Sequence, residues 1–302
     1  MKGCDLISIK ELSKESILTI LQRSNEMKRE PPGDLLKGYL MASCFFEPST
    51  RTRLSFEAAM RRLGGEVIGF AESSATATQK GESLHDSMKI IGFYSDIIVI
   101  RHPLEGSARQ AAEVTDKPVI NAGDGSNEHP SQTLLDLFTI LECQKRLEGL
   151  NIAFVGDLLH GRTTHSLALA LRLFNSRLFF VTSPSLAMPE AICQTLRQAG
   201  MPFSSHQSIE EIIDRVDILY MTRIQRERFS NQEEYLKKRD QFILTPQLLE
   251  KGQPHLKVLH PLPRLNEIDK GVDSTPYAYY FQQAENGVYV RQALLTLLLL
   301  DQ

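Results

Sequence analysis

The chain has 302 residues, of which 42% are apolar and 24% charged, with 34 Lys plus Arg against 37 Asp plus Glu and a formal net charge of −3. That length suits two domains of ordinary size, and the composition is normal for a globular protein. The balanced charge argues against a surface for duplex nucleic acid, so any anion bound here should be small and held locally. Four cysteines (Cys4, Cys44, Cys143 and Cys193) lack paired spacing and suit neither a zinc site nor a disulfide framework, which points to a reducing compartment. The N-terminal MKGCDLISIKELSKE has no apolar core of signal-peptide length, and LLTLLLL at 294–300 is too short to span a bilayer. A cytoplasmic protein without membrane attachment is expected.

Strand-like apolar runs alternate with helix-like segments along the whole chain. YLMASCFF (39–46) predicts a strand and RLSFEAAMRRL (53–63) a helix, with Leu54, Ala58 and Met60 to Leu63 on its buried side. EVIGF (66–70) reads as a strand, SLHDSMKIIGFY (83–94) as a helix, DIIVI (96–100) as a strand, ARQAAEV (108–114) as a helix and PVINA (118–122) as a strand. The helix SQTLLDLFTILECQK (131–145) follows, and the pattern restarts. NIAFVGD (151–157) and RLFFVTS (177–183) read as strands, THSLALALRLF (164–174) and PEAICQTLRQAG (189–200) as helices. VDILYMT (216–222) and LKVLHPL (256–262) are further strands, and the stretch 280–300 ends in a helix. Repeated strand–helix units imply parallel sheets covered on both faces, so the expected fold is α/β, with two doubly wound parallel-sheet domains joined by helices. Such sheets bind ligands at the carboxyl ends of their strands.

The segments after those strands are rich in donors. EPSTRT after the first strand carries Ser49, Thr50, Arg51 and Thr52 at a helix start. One capping hydroxyl suffices for a helix, and the surplus of hydroxyls with a guanidinium suits a phosphate. RHPLEG brings Arg101 to a strand end, and GDGSNEHPSQTLLD brings His129 and Gln132, three apart at a helix start begun by Pro130. GDLLHGRTTHS comes close to a nucleotide-binding loop, but Arg162 replaces the required lysine and Asp157 repels a triphosphate, so Arg162 reads better as a carboxylate clamp. RIQRERF offers Arg223 and Gln225 on one side of an extended segment, with Arg226 and Arg228 as solvated surface cations. HPLPR fixes the backbone around Leu262, where a cis Leu262–Pro263 bond is plausible. The pattern contains no Cys–His pair and no metal-ligand cluster, so the chemistry expected is positioning and charge stabilisation, with no metal and no cofactor.

Taken together, FEPSTRTRLSFE, RHPLEG, NAGDGSNEHPSQTLLDLFTI, VGDLLHGRT, MTRIQRER and VLHPLPR resemble the aspartate carbamoyltransferase catalytic chains, in that family's order from about residue 8 to the end. The resemblance implies carbamoyl phosphate and L-aspartate as substrates, and N-carbamoyl-aspartate and phosphate as products. It implies a carbamoyl-phosphate domain at 1–130, completed by a C-terminal helix at 287–302, and an aspartate domain at 131–286. Ser49, Thr50, Arg51 and Thr52 look like the family's phosphate motif. Arg101, His129 and Gln132 look like its carbamoyl-binding residues. Arg162, Arg223, Gln225 and the backbone at Leu262 resemble its aspartate-binding set. Lys80, in SSATATQKGES, resembles the loop lysine that enters a neighbouring subunit's site, and Thr76 the loop's hydroxyl contact. A homotrimer with shared sites is implied, and the match at TPYAYYFQQAENGVYVRQALL suggests the type that also binds regulatory chains. The nearest rivals are a sister enzyme acting on ornithine and a non-catalytic anion-binding module. The two arginines of the second half favour a dicarboxylate acceptor over ornithine, and a single-anion module would leave that second cation set unexplained.

Overall fold

The computed structural model describes residues 1–226, 231–232 and 241–301. The chain divides into two compact units, one of Met1–Phe138 with Glu285–Gln302, the other of Thr139–Ala284. Packing thus divides the chain at 138/139 and 284/285, against the 130/131 and 286/287 expected from the sequence.

The first unit holds a four-stranded parallel sheet, β1 (Leu40–Phe45), β2 (Glu66–Phe70), β3 (Ile97–His102) and β4 (Val119–Asp124), in the order β2-β1-β3-β4. Its crossovers are α2 (Thr50–Arg62), α3 (Leu84–Tyr94) and α4 (Ser107–Glu113). Parallel neighbours need such crossovers, which in turn bury both sheet faces. Ala42, Cys44, Ile98, Ile100 and Val119 accordingly pack with Met88, Ala108 and Ala111. The first helix, α1 (Lys14–Arg29), was not foreseen. Ser13 caps it by accepting from the Ser16 N–H at 3.0 Å, and Ile17, Ile20, Leu21, Ser24 and Met27 form a buried stripe of helical period. In α2 the buried side is Thr52, Phe56, Ala59 and Met60, whereas Leu54 is 49% exposed, contrary to expectation. Thr52, Phe56, Ala59, Met60 and Leu63 form one helical stripe, and Leu54, two residues from both Thr52 and Phe56, falls on the opposite side.

The second unit holds β5 (Asn151–Val155), β6 (Arg177–Val181), β7 (Phe203–His206), β8 (Ile218–Met221) and β9 (Lys257–Leu259), all parallel, in the order β7-β6-β5-β8-β9. Helix α5 (Pro130–Gln144) leads into it, α6 (Arg162–Leu171) and α7 (Glu190–Gln198) cross over within it, and α8 (Tyr280–Leu299) leads back out. The core joins Ala153, Val155, Phe179, Leu219 and Met221 of the sheet to Ile209, Ile212, Ile213 and Leu249. In its first-unit portion, α8 buries Val290, Ala293, Leu294, Leu295, Leu297, Leu298 and Leu299. Polar ties hold it to that unit: Lys28 Nζ donates to Asn286 Oδ1 at 2.8 Å, and the Gly3 N–H to the Leu298 carbonyl at 3.0 Å. No described helix is long and apolar enough to cross a membrane.

Each sheet has one place where consecutive connections leave in opposite directions, between β1 and β3 in the first unit and between β5 and β8 in the second. Open parallel sheets form their ligand crevice there.

Candidate active site

In the first unit, residues 46–49 turn from β1 into α2. Ser49 is the N-cap, yet its hydroxyl makes no capping bond, whereas Ser13 and Ser83 cap α1 and α3 through their hydroxyls. The Arg53 N–H to Ser49 carbonyl bond, at 3.1 Å, opens the α2 ladder. The N–H groups of Thr50, Arg51 and Thr52 precede it, where the helix dipole favours an anion. Thr52 is buried and Arg51 exposed. The surplus hydroxyls of this turn are therefore not needed to start the helix.

Arg101 lies across from this turn. Its strand partner is Phe45, and it sits where the β3–β4 ladder shifts register between Ile100 and His102, the kind of bulge that re-aims a side chain. Its Nη2 pairs with Glu47 Oε1 at 2.7 Å, and Nη1 donates to the Ala122 carbonyl at 3.3 Å. The guanidinium is thus stretched between the β1 turn and the end of β4.

The loop after β4 is organised by Asp124. One carboxylate oxygen accepts from Asn121 Nδ2 at 2.9 Å and the Glu128 N–H at 3.2 Å, the other from the Gly106 N–H at 2.9 Å and Asn127 Nδ2 at 3.0 Å. Gly125 has φ +55°, and a Cβ there would lie 2.9 Å from the Pro103 carbonyl oxygen, so the tight turn requires glycine. Glu128, also buried, accepts from Ser8 Oγ at 2.7 Å and the Ile9 N–H at 2.8 Å. His129 follows, buried at the head of α5, its carbonyl accepting from Gln132 and Thr133 N–H at 3.0 and 3.2 Å. Ser131 Oγ lies 3.3 Å from His129 Nδ1; with the hydroxyl donating, the ring proton sits on Nε2. Gln132 Nε2 donates to Asp136 Oδ1 at 2.8 Å.

Residues 73–80 form two 3-10 turns, Ser73–Ala75 and Ala77–Lys80. Thr76, half-buried, donates its hydroxyl to the Ser73 carbonyl at 2.7 Å and lines a pocket of about 180 Å³ with Phe46, Phe70, Glu82 and Ile90. Lys80 is exposed, and no hydrogen bond or ion pair among the described residues ties it to the loops holding Arg101 and His129.

In the second unit three loops leave adjacent strands. After β5, Gly156 adopts φ +111° and Asp157 is fully buried, accepting from the His160 N–H at 3.0 Å and facing its Nδ1 at 3.2 Å. The near-match to a nucleotide loop is thus wrapped around a carboxylate. It delivers Arg162 as the first residue of α6, with Gly161 as an N-cap that has no side chain to offer. After β8 come Arg223 and Gln225, both half-buried, and Gln225 Nε2 donates to the His160 carbonyl at 3.1 Å. That bond joins the Arg162 and Arg223 loops at the sheet's switch point. Arg226 is exposed as expected, and Arg228 lies outside the described residues.

After β9, the Leu262–Pro263 bond is cis and Leu262 has φ +57°. The Leu262 N–H donates to His260 Nδ1 at 2.8 Å, so the ring proton is on Nε2, which donates to Glu267 Oε1 at 2.8 Å. His260 and Glu267, both buried, thereby fix the backbone that the sequence singled out only through its prolines. Two further contacts escaped the sequence reading, Glu47 on Arg101 and Asp136 on Gln132. The second has a local signal, since residues four apart on a helix share a face.

Among the described residues, no group of three or more His, Cys, Asp and Glu side chains is placed to hold a metal ion.

Residues 4–142 match the family model described as the aspartate/ornithine carbamoyltransferase carbamoyl-P binding domain, and residues 148–298 its Asp/Orn binding domain. The aspartate carbamoyltransferase catalytic subunit of Chromobacterium violaceum is 55% identical over 294 residues, 97% of each chain. That of Vibrio campbellii is 56% identical over 97% of this chain and 96% of its own. Among solved structures, the catalytic subunit of M. jannaschii aspartate transcarbamoylase aligns with a TM-score of 0.90 at 48% identity, covering 98% of this chain and 97% of that one. The Trypanosoma cruzi aspartate transcarbamoylase, solved with carbamoyl phosphate and aspartate, aligns at 0.93 and 34% identity over 99% and 98% of the two chains. By both of its halves and along nearly its whole length, the chain belongs to the aspartate carbamoyltransferase family.

Proposed function

We propose that the chain transfers the carbamoyl group of carbamoyl phosphate to the amine of L-aspartate, giving N-carbamoyl-L-aspartate and phosphate, as a step of de novo pyrimidine synthesis that needs no cofactor. The observation that carries this reading is the distribution of cations. Arg51 and Arg101 stand at the switch point of one sheet, Arg162 and Arg223 at that of the other. One set suits a phosphoryl group and the other a dicarboxylate, and the T. cruzi relative was solved with both substrates of this reaction.

Ser49, Thr50, Arg51 and Thr52 hold the phosphate, with Thr76 and Lys80 from the 71–81 loop. Thr52, Arg101, His129 and Gln132 hold the carbamoyl group. Arg162, Arg223, Gln225 and the Leu262 main chain hold aspartate, with Lys80 reaching both substrates. The aspartate nitrogen forms a bond to the carbamoyl carbon, and charge gathers on the carbonyl oxygen. Thr52, Arg101 and His129 donate to that oxygen, each such donor being worth about 2.7–4 kcal/mol of barrier in a water-poor site. The bond from carbon to the phosphate oxygen then breaks. The departing phosphate takes the proton released by the amine, so no side chain has to act as general base.

The working form is a homotrimer in the cytoplasm, with Lys80 entering a neighbour's site and with regulatory chains able to join. Exposed Ile68, Ile90, Phe93, Tyr94 and Leu104 in the first unit are the kind of apolar surface that copies of a chain bury against one another. Four free cysteines suit a reducing compartment. The test is phosphate release from carbamoyl phosphate with aspartate, with ornithine and with no acceptor. Release should depend on aspartate, and ornithine-dependent release would overturn the assignment.

A further inference from the structure

The N-terminal residues, which the reaction scheme leaves unused, are fastened to the loop that carries His129. Residues 5–9 run along the outer edge of β4. The Leu6 N–H donates to the Val119 carbonyl at 2.8 Å and the Asn121 N–H to the Leu6 carbonyl at 2.9 Å, a parallel bridge. The Val119 N–H donates to Asp5 Oδ1 at 2.8 Å, Asn121 Nδ2 donates to the Ile7 carbonyl at 2.9 Å, and Ile7 and Ile9 are buried. From this strap Ser8 Oγ donates to Glu128 Oε1 at 2.7 Å and the Ile9 N–H to Oε2 at 2.8 Å. Both are short, charge-assisted bonds to a carboxylate that is nearly out of reach of solvent. The loop's own hold on Glu128 is longer. Its N–H lies 3.2 Å from Asp124 Oδ1, and its carbonyl accepts from the Asp124 N–H at 3.3 Å, at or beyond the long end of the usual range.

We propose that Glu128 is a positioning residue for His129, and that Ser8 and Ile9 are the fixed points from which it works. The proposal rests on the reading that His129 donates to the carbamoyl oxygen. The two residues are adjacent, so the direction of the His129 Cα–Cβ bond follows from where the Glu128 main chain is held. Without the carboxylate, the head of α5 depends on its N-terminal side on the two longer Asp124 bonds. The Ser131 hydroxyl, 3.3 Å from the imidazole, belongs to the same helical turn and moves with it. It can orient the ring within that turn and cannot set the turn against the sheet. A displacement of about 1 Å in a positioned group can cost up to 10²-fold in rate. The loss should fall on kcat, because the oxygen that His129 meets gathers charge only in the transition state. The phosphate turn at 49–52 belongs to β1 and α2, so binding of inorganic phosphate serves as the internal control.

In Glu128→Ala, kcat should fall about tenfold or more, while inhibition by inorganic phosphate changes less than about twofold. Glu128→Gln keeps an acceptor for the Ile9 N–H and a polar partner for the Ser8 hydroxyl, and should recover most of the rate. Ser8→Ala removes the donor at the far end and should lower kcat in the same selective way, and Ser8→Thr should restore it. Ser8→Ala is also the second variant should Glu128→Ala fail to fold. The deciding measurement is a double-mutant cycle. Added to His129→Ala, either alanine change should lower kcat by less than about twofold more, because nothing is left to position. Losses that multiply in full, a fall in phosphate binding that matches the fall in kcat, or an unchanged kcat in the single variants would overturn the proposal. His129→Ala by itself separates this from the underlying reading. If it leaves kcat unchanged, His129 does not serve the carbamoyl oxygen. If it lowers kcat while the Glu128 and Ser8 variants do not, the positioning role alone is wrong.

Discussion

Gly156→Ala tests the architecture of the second half-site with a single methyl group. Gly156 follows β5 at φ +111°, a conformation that L side chains rarely adopt, and an added Cβ would overlap the Thr222 carbonyl oxygen and lie 2.7 Å from Thr222 Oγ1. Thr222 is itself clamped to β5, its hydroxyl and N–H donating to the Val155 carbonyl at 2.8 and 2.9 Å. Neither side can yield without breaking that clamp. Holding alanine at such a φ costs about 1–3 kcal/mol, and overpacking against fixed backbone costs about as much again. The sum, roughly 2–6 kcal/mol, should lower the midpoint of thermal unfolding by at least about 5 °C. The strain has a functional readout as well, because Gly156 leads into the Arg162 loop and Thr222 into Arg223. Aspartate saturation at fixed carbamoyl phosphate should shift to higher concentration, with carbamoyl phosphate binding unchanged. A midpoint within about 1 °C of the parent together with unaltered aspartate saturation would refute the argument that this close approach positions the two arginines.

Arg51→Ala should weaken carbamoyl phosphate binding about tenfold or more, since a charged hydrogen bond is worth roughly 1.5–3 kcal/mol, and unchanged binding would end the phosphate assignment. His129→Ala should lower kcat while sparing inhibition by inorganic phosphate, because its target acquires charge only in the transition state; a loss confined to ground-state binding would contradict that role. Arg223→Ala should damage aspartate saturation alone, and succinate should compete with aspartate in the parent enzyme, as a dicarboxylate pocket requires. Mixed and reassembled Lys80→Ala and Arg51→Ala chains should regain activity well above either parent if sites are shared between copies. Continued inactivity, with chain exchange confirmed, would remove Lys80 from the neighbouring site.

The central strands were legible because parallel sheets bury both faces and so leave continuous apolar runs such as LMASCF and IIVI. Strand β7 went unseen for the converse reason. Phe203–His206 reads F-S-S-H and lies at a sheet edge, half exposed, where no apolar run is needed. Helix α2 was legible in kind but not in phase, because Leu54 is an apolar residue on its solvent side and Thr52 a polar residue on its buried side. The loop cations were visible as surplus donors after strands. Their supports were not, since the bond of Gln225 Nε2 to the His160 carbonyl and that of Glu128 to Ser8 depend on chain reversals that no short window contains. Asp157 looked like a charge that would repel a phosphate, and in the fold its carboxylate is turned inward to hold the loop.

The first unit is closed by a segment that arrives last. Its sheet, α1 to α4 and the head of α5 are encoded before residue 139, yet its packing is completed by Glu285–Gln302, after the whole second unit has been specified. The second unit, being contiguous, emerges ahead of the apolar helix that completes the first. The usual order of synthesis, with N-terminal domains finishing before those behind them, is inverted. A released chain truncated after residue 284 would carry a complete rear half and an open front half, with Ile17, Ile20 and Leu21 among the apolar side chains of an incomplete core. Chaperone capture and proteolytic loss during translation should therefore concentrate on the end of the chain that was made first.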